Sequence, residues 1–187
     1  MVTKMSATPF AFVGVIAAVM IVLCFTVAIC SAPNWEFNVN TLSDLGISED
    51  GFTASLFNWT CIIGGILITI FGVGKALVKK DLDMVSAIFI AVAGLFLINV
   101  GIFTKGDNMH LFMAYTFFTL CIIGMFISGI SDWNHGRKLT ASVTVIVFVV
   151  FLASLPGFAL PGIEVIGVFG SCLWLAAQGL SLAFSKD

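Results

Sequence analysis

Hydrophobic positions fall in six long runs, and charged residues gather in the short connections between them. The runs cover 10–32, 55–76, 84–104, 110–131, 139–155 and 163–184. About 20 apolar residues of helix, each rising about 1.5 Å, cross the hydrocarbon core of a bilayer. The pattern therefore predicts an all-α, polytopic bundle of six transmembrane helices forming a single domain over 1–187. The fifth run is the shortest, and Pro156 and Pro161 after it bracket a turn in which the chain reverses. The first run follows Lys4 and ends in small residues, yet its apolar core is too long for a cleaved signal peptide. Ile29 also spoils a lipobox at Cys30.

Composition makes lipid the solvent. Hydrophobic residues are 60% of the chain and charged residues only 10%, well below the roughly 25% of a soluble domain. A water-soluble globule of 187 residues has too little interior to hide that much apolar surface. Orientation follows from the basic residues: Lys4, Lys75, Lys79, Lys80, Arg137, Lys138 and Lys186 belong to the N-terminus, the second and fourth connections and the C-terminus, against Lys105 alone on the other side. That bias places both termini in the cytoplasm and the protein in the cell membrane as a multi-pass chain. Trp35 and Trp59 then sit at the outer interface and Trp133 at the inner one.

Several chemistries drop out. The basic residues form no patch interleaved with aromatics, so nucleic acid is not an expected partner; membrane lipids are, and no protein partner is legible. Cys24, Cys30, Cys61, Cys121 and Cys172 have neither CxxC spacing nor neighbouring histidines, and read as packing residues, with a Cys30–Cys61 disulfide an open alternative. His110 and His135 are assigned to opposite faces, which excludes a multi-histidine metal site and paired haem ligands. No phosphate loop or GxSxG elbow is present, so no cofactor is expected.

Small residues four apart, as in Gly14 with Ala18, Gly72 with Ala76 and Ala87 with Ala91, allow close helix packing. Cys61-Ile62-Ile63-Gly64 recurs as Cys121-Ile122-Ile123-Gly124, a faint internal echo. The informative polar residues favour the outer face. The first outer connection, 33–53, is acidic and without a basic residue; the second carries Lys105, Asp107 and His110; the third leads to Glu164. Asp107 and His110, three apart, are candidate catalytic residues, a carboxylate orienting an imidazole for acid-base work. The competing reading has Asp107 or Asn108 capping the fourth helix. Ser43, Asp44, Asn58, Lys105 and Glu164 are candidate binding residues. Asn58, at the start of the second run, needs a hydrogen-bond partner there, structural or ligand, because an unpaired buried amide is costly. Ser43-Asp44 before Leu45-Gly46 also fits a plain turn.

Asn40-Thr41-Leu42-Ser43-Asp44-Leu45-Gly46, Leu56-Phe57-Asn58 and Asp107-Asn108-Met109-His110 together resemble the prokaryotic membrane family known as domain of unknown function 998 (DUF998). The chain is also distantly similar to the six-span damage-regulated autophagy modulator group, some of whose members are associated with lipid handling. The resemblance implies six helices and an outward cluster of Ser43, Asp44, Asn58, Asp107 and His110, and supplies no reaction.

Three functions are then in view: a receptor or handling protein for a lipid or amphiphile, an enzyme acting on a lipid headgroup through Asp107, His110 and Ser43 or water, and a structural subunit. A small transporter fits least, because no charge is placed inside a span.

Overall fold

The computed structural model describes residues 8–184, so Lys4 and Lys186 lie outside the described residues. Six helices follow one another: α1 (Thr8–Ser31), α2 (Gly51–Val78), α3 (Asp81–Ile102), α4 (His110–Asn134), α5 (Lys138–Ser154) and α6 (Leu160–Phe184). Among the described residues there is no strand. Five of the helices are long and apolar enough to cross a membrane. The exception is α5, whose 17 residues extend about 26 Å at the usual rise, slightly short of a hydrocarbon core of about 30 Å.

The helix ends differ from the limits of the apolar runs for local reasons. α2 begins at Gly51 because Asp50 caps it, accepting the Phe52 and Thr53 amides at 3.3 and 3.1 Å and the Thr53 hydroxyl at 2.6 Å. α6 begins at Leu160 and takes Pro161 into its first turn, where a missing N–H leaves no hydrogen bond unmade. α3 and α4 extend past the apolar runs to include Asp83 and Asp132, both buried. Several threonines within the helices satisfy themselves on their own backbone: the Thr60, Thr116 and Thr119 hydroxyls donate to carbonyls four residues back at 2.6–2.8 Å. Lipid offers no alternative partner for such groups.

Each helix packs on its neighbours in sequence, and α6 returns to α1, so the six close into a ring. α2 and α3 are the most intimately packed pair. A Cβ at Gly72 would lie 2.6 Å from the Ala91 nitrogen and 2.8 Å from the Ala87 oxygen, so the two backbones touch only because that position is glycine. The repeated tetrapeptides occupy matching settings, with Gly64 against Ile21 of the preceding helix and Gly124 against Ile90 of its own. All five cysteines are free thiols, which removes the Cys30–Cys61 disulfide; Cys30 is exposed and Cys61 buried. Large apolar side chains such as Phe12, Leu23, Phe112 and Val149 cover the outside of the ring. A surface of that kind is stable against lipid rather than water.

The first connection folds back over one end of the ring. Its 3-10 helix, Leu42–Ile47, rests on α2 and α6 and inserts Leu42 and Leu45 into the interior, each burial contributing roughly 1.5–3 kcal/mol. Beneath it Phe25 and Phe57 stack with centroids 5.1 Å apart. Asn38, at φ 66°, accepts the Ala159 amide at 2.7 Å, and Phe37 meets Phe158 edge to face, so this roof is fastened to the α5–α6 turn as well.

Candidate functional site

Beneath the roof the ring encloses a cavity of about 370 Å³, within the range of sites that hold small molecules. Its walls are apolar: Phe117, Phe118 and Met125 of α4, Phe148 and Phe151 of α5, and Val168 of α6 face it. Leu111, Tyr115 and Ile122 line it while remaining 61%, 63% and 42% exposed, so the cavity opens sideways along one face of α4. Nearer the far end α4 and α5 converge, where a Cβ at Gly129 would lie 2.9 Å from the Thr144 methyl.

Most of the polar groups that enter this cavity sit around the roof. Thr41, Ser43, Lys105, His110 and Glu164 all line it, with Ser171 lower on α6. The Lys105 ammonium pairs with the Asp44 carboxylate and donates to the Thr41 hydroxyl at 2.9 Å. Asp44 also accepts the Thr41 amide and hydroxyl, each at 2.8 Å, closing the N-terminus of the 3-10 helix. Partial burial pushes the Asp44 carboxyl upward, but the bonds from Lys105 and Thr41 outweigh it and hold the group below its ordinary value. Because the folded value lies below the unfolded one, this fastening is complete at neutral pH and is lost as pH falls through the folded value. Hydrogen exchange of the 41–47 amides is expected to accelerate below about pH 3.8, the ordinary Asp value, and a Lys105→Met variant to exchange fast already at pH 7.

His110 is buried, and its Nδ1 lies 2.7 Å from the Phe103 carbonyl oxygen. A carbonyl only accepts, so Nδ1 carries a proton, and in the neutral tautomer this leaves Nε2 with a lone pair. Asp107 does not orient this imidazole. α4 starts at His110, so Asp107 lies in the preceding turn rather than one helical turn away; its carboxylate accepts the Met109 amide at 2.8 Å and its side chain is exposed. Asn58 lies outside the cavity and serves the roof, donating to the Gly46 carbonyl at 3.0 Å. Glu164 accepts the Leu42 amide from beneath. The fold thus brings together Ser43, Lys105, His110 and Glu164, sets Asp44 behind Lys105, and leaves Asp107 and Asn58 to capping and fastening. Thr41, absent from the sequence candidates, is the hub of the roof.

At the opposite end lies a second polar assembly. Lys75 donates to the Gln178 carbonyl oxygen at 2.8 Å, Gln178 to Asp132 at 2.6 Å, and Arg137 to Asp132 at 2.6 Å and to both Asp83 oxygens at 2.7 and 2.8 Å. Two cations and two anions, relayed by an amide, tie α2, α6, α4 and α3 together. This corrects the expectation that spans carry no charge: Lys75, Asp83 and Asp132 are buried helix residues, paired because a lone charge there is prohibitively costly. Burial opposes the Arg137 charge, yet the Asp132 bond and the nearby Asp83 hold its affinity for the proton above the ordinary value. Gln178, an amide in an otherwise apolar run, was the sequence signal for this assembly.

A lipid-facing ring of apolar helices around an amphiphilic cavity has the make-up of an integral membrane protein. Residues 15–181 match the family model described as Protein of unknown function (DUF998), and the chain belongs to that family. Comparison with curated proteins and with solved structures gives no match.

Proposed function

We propose that this protein crosses the cell membrane six times with both termini in the cytoplasm, and that it binds or handles a lipid or other amphiphile in an outward-facing cavity. The topology is supported by Lys75, Lys79, Lys80, Arg137 and Lys138, which all lie at the end of the ring away from the roof, where the positive-inside tendency puts the cytoplasm. The sixth crossing needs α5 together with the turn to Leu160, since α5 alone is short. The observation that carries the binding role is the division of the cavity, apolar along most of its depth and polar chiefly at the roof, with a side opening along α4. At roughly 30 Å³ per heavy atom, the share of one water in the liquid, the space suits about twelve atoms, one acyl chain rather than two.

A second reading is an enzyme acting on the headgroup. The His110 tautomer favours it, since Nε2 is the form of imidazole that takes a proton from water or a hydroxyl. Among the described residues no bond joins Ser43 to His110, so the nucleophile in that reading is water.

Filling the cavity tests the binding role. Gly167 lines it, and a Cβ there meets only Phe151, at 3.5 Å. Gly167→Leu is expected to remove most amphiphile that co-purifies with the wild type, read by native mass spectrometry from nanodiscs, while thermal stability is kept or raised. Asp107→Ala should leave the bound complement unchanged. An identical complement in the filled variant would defeat the proposal.

A further inference from the structure

We infer that the cavity is selective for a single-chain amphiphile whose headgroup donates hydrogen bonds, a hydroxyl or a primary ammonium, and discriminates against chains ending in a carboxylate or phosphate. This deepens the binding role proposed above and depends on it. Nearly every hydrogen of the roof's polar groups is already committed. The Thr41 hydroxyl has one hydrogen, and the Asp44 carboxylate receives it. Thr41 Oγ1 therefore accepts in its other contacts, from Lys105 Nζ at 2.9 Å and from Ser43 Oγ at 3.1 Å. Ser43 has consequently given up its own hydrogen and offers a ligand only lone pairs. His110 has given its Nδ1 hydrogen to Phe103 and offers only Nε2. Glu164 accepts from Leu42 and, when ionised, adds a carboxylate oxygen.

Against these three acceptors the roof offers one donor, the remaining hydrogen of Lys105, whose charge is already matched by Asp44. A carboxylate or phosphate entering here would set its oxygens against Ser43, His110 and Glu164 with a single donor to share. A glycerol or amine headgroup supplies the missing hydrogens. An ammonium also meets the Glu164 carboxylate when that group is ionised.

The test uses the full chain, delipidated and returned to nanodiscs at pH 8, with twelve-carbon probes competing against radiolabelled dodecan-1-ol. Binding to the Gly167→Leu variant is subtracted as partition into the bilayer. Monolauroylglycerol and dodecylamine are expected to displace the label at least roughly ten-fold more effectively than laurate or dodecyl phosphate, a difference of about one charge-assisted hydrogen bond. The two favoured probes distinguish hydroxyl from ammonium. Glu164→Gln should weaken dodecylamine about ten-fold and leave dodecan-1-ol nearly unchanged. Laurate or dodecyl phosphate binding as tightly as the alcohol would overturn the selectivity while leaving the amphiphile role standing. No probe binding above the filled variant would overturn both.

Discussion

Arg137→Met is expected to destabilise the protein more than any substitution in the cavity, lowering its melting temperature by roughly 6–20 °C. Removing one partner from a buried ion pair costs about 3–5 kcal/mol, and for a chain of this size each kcal/mol moves the midpoint by about 2–4 °C. Here one guanidinium serves two carboxylates, Asp83 and Asp132, with side chains only 6% and 1% exposed. Without it both lose their bonded cation, and Asp132 keeps the Gln178 amide and the more distant charge of Lys75. The readout is the fraction of monodisperse protein surviving a temperature series in detergent. Adding Asp83→Asn and Asp132→Asn to the same variant should recover much of the loss, because the stranded charges are gone. A melting point within two or three degrees of wild type for the single variant would mean that the assembly is not held by its charges.

The second large effect belongs to the α2–α3 seam. Gly72→Val inserts three carbons where a single Cβ already meets the Ala91 and Ala87 backbones under 3.0 Å, so the helices must part along their length. Overpacking of this kind costs about 1–3 kcal/mol when side chains give way, and more when backbone must move. The variant is expected to melt well below wild type and to elute partly aggregated. Gly51→Ala, at a position with nothing within 4 Å, is the matched control and should be neutral or slightly stabilising. Equal behaviour of the two variants would show that the seam tolerates separation.

The helical ring was readable from the sequence because lipid forces each apolar run to satisfy its own backbone, and only helix does so within one segment. The ends were less legible. A capping aspartate at Asp50 and a proline in the first turn of α6 are decisions of one or two residues that an apolar window passes over. At the cavity, Ser43, Lys105, His110 and Glu164 were visible as polar residues sharing one end of the chain's topology. The expected Asp107–His110 contact is not made because the Asp107 carboxylate turns back to the Met109 amide, while the His110 Nδ1 is taken up by the Phe103 carbonyl. Least legible was the Lys75–Gln178–Asp132–Arg137–Asp83 assembly. Charges at helix ends look like orientation signals, and only the tertiary fold turns them inward against one another.

The ring is mechanically lopsided. Between α2 and α3 backbone touches backbone, whereas α5 is held by side chains: the Trp174 indole donating to Thr144 at 3.1 Å and the Phe126–Phe148 ring contact. Those attachments lie in the first two thirds of α5, and the roof holds the turn that follows it through Asn38 and Phe37. Drawing α5 away from its neighbours therefore needs only side chains to give way, whereas parting α2 from α3 requires backbone to move.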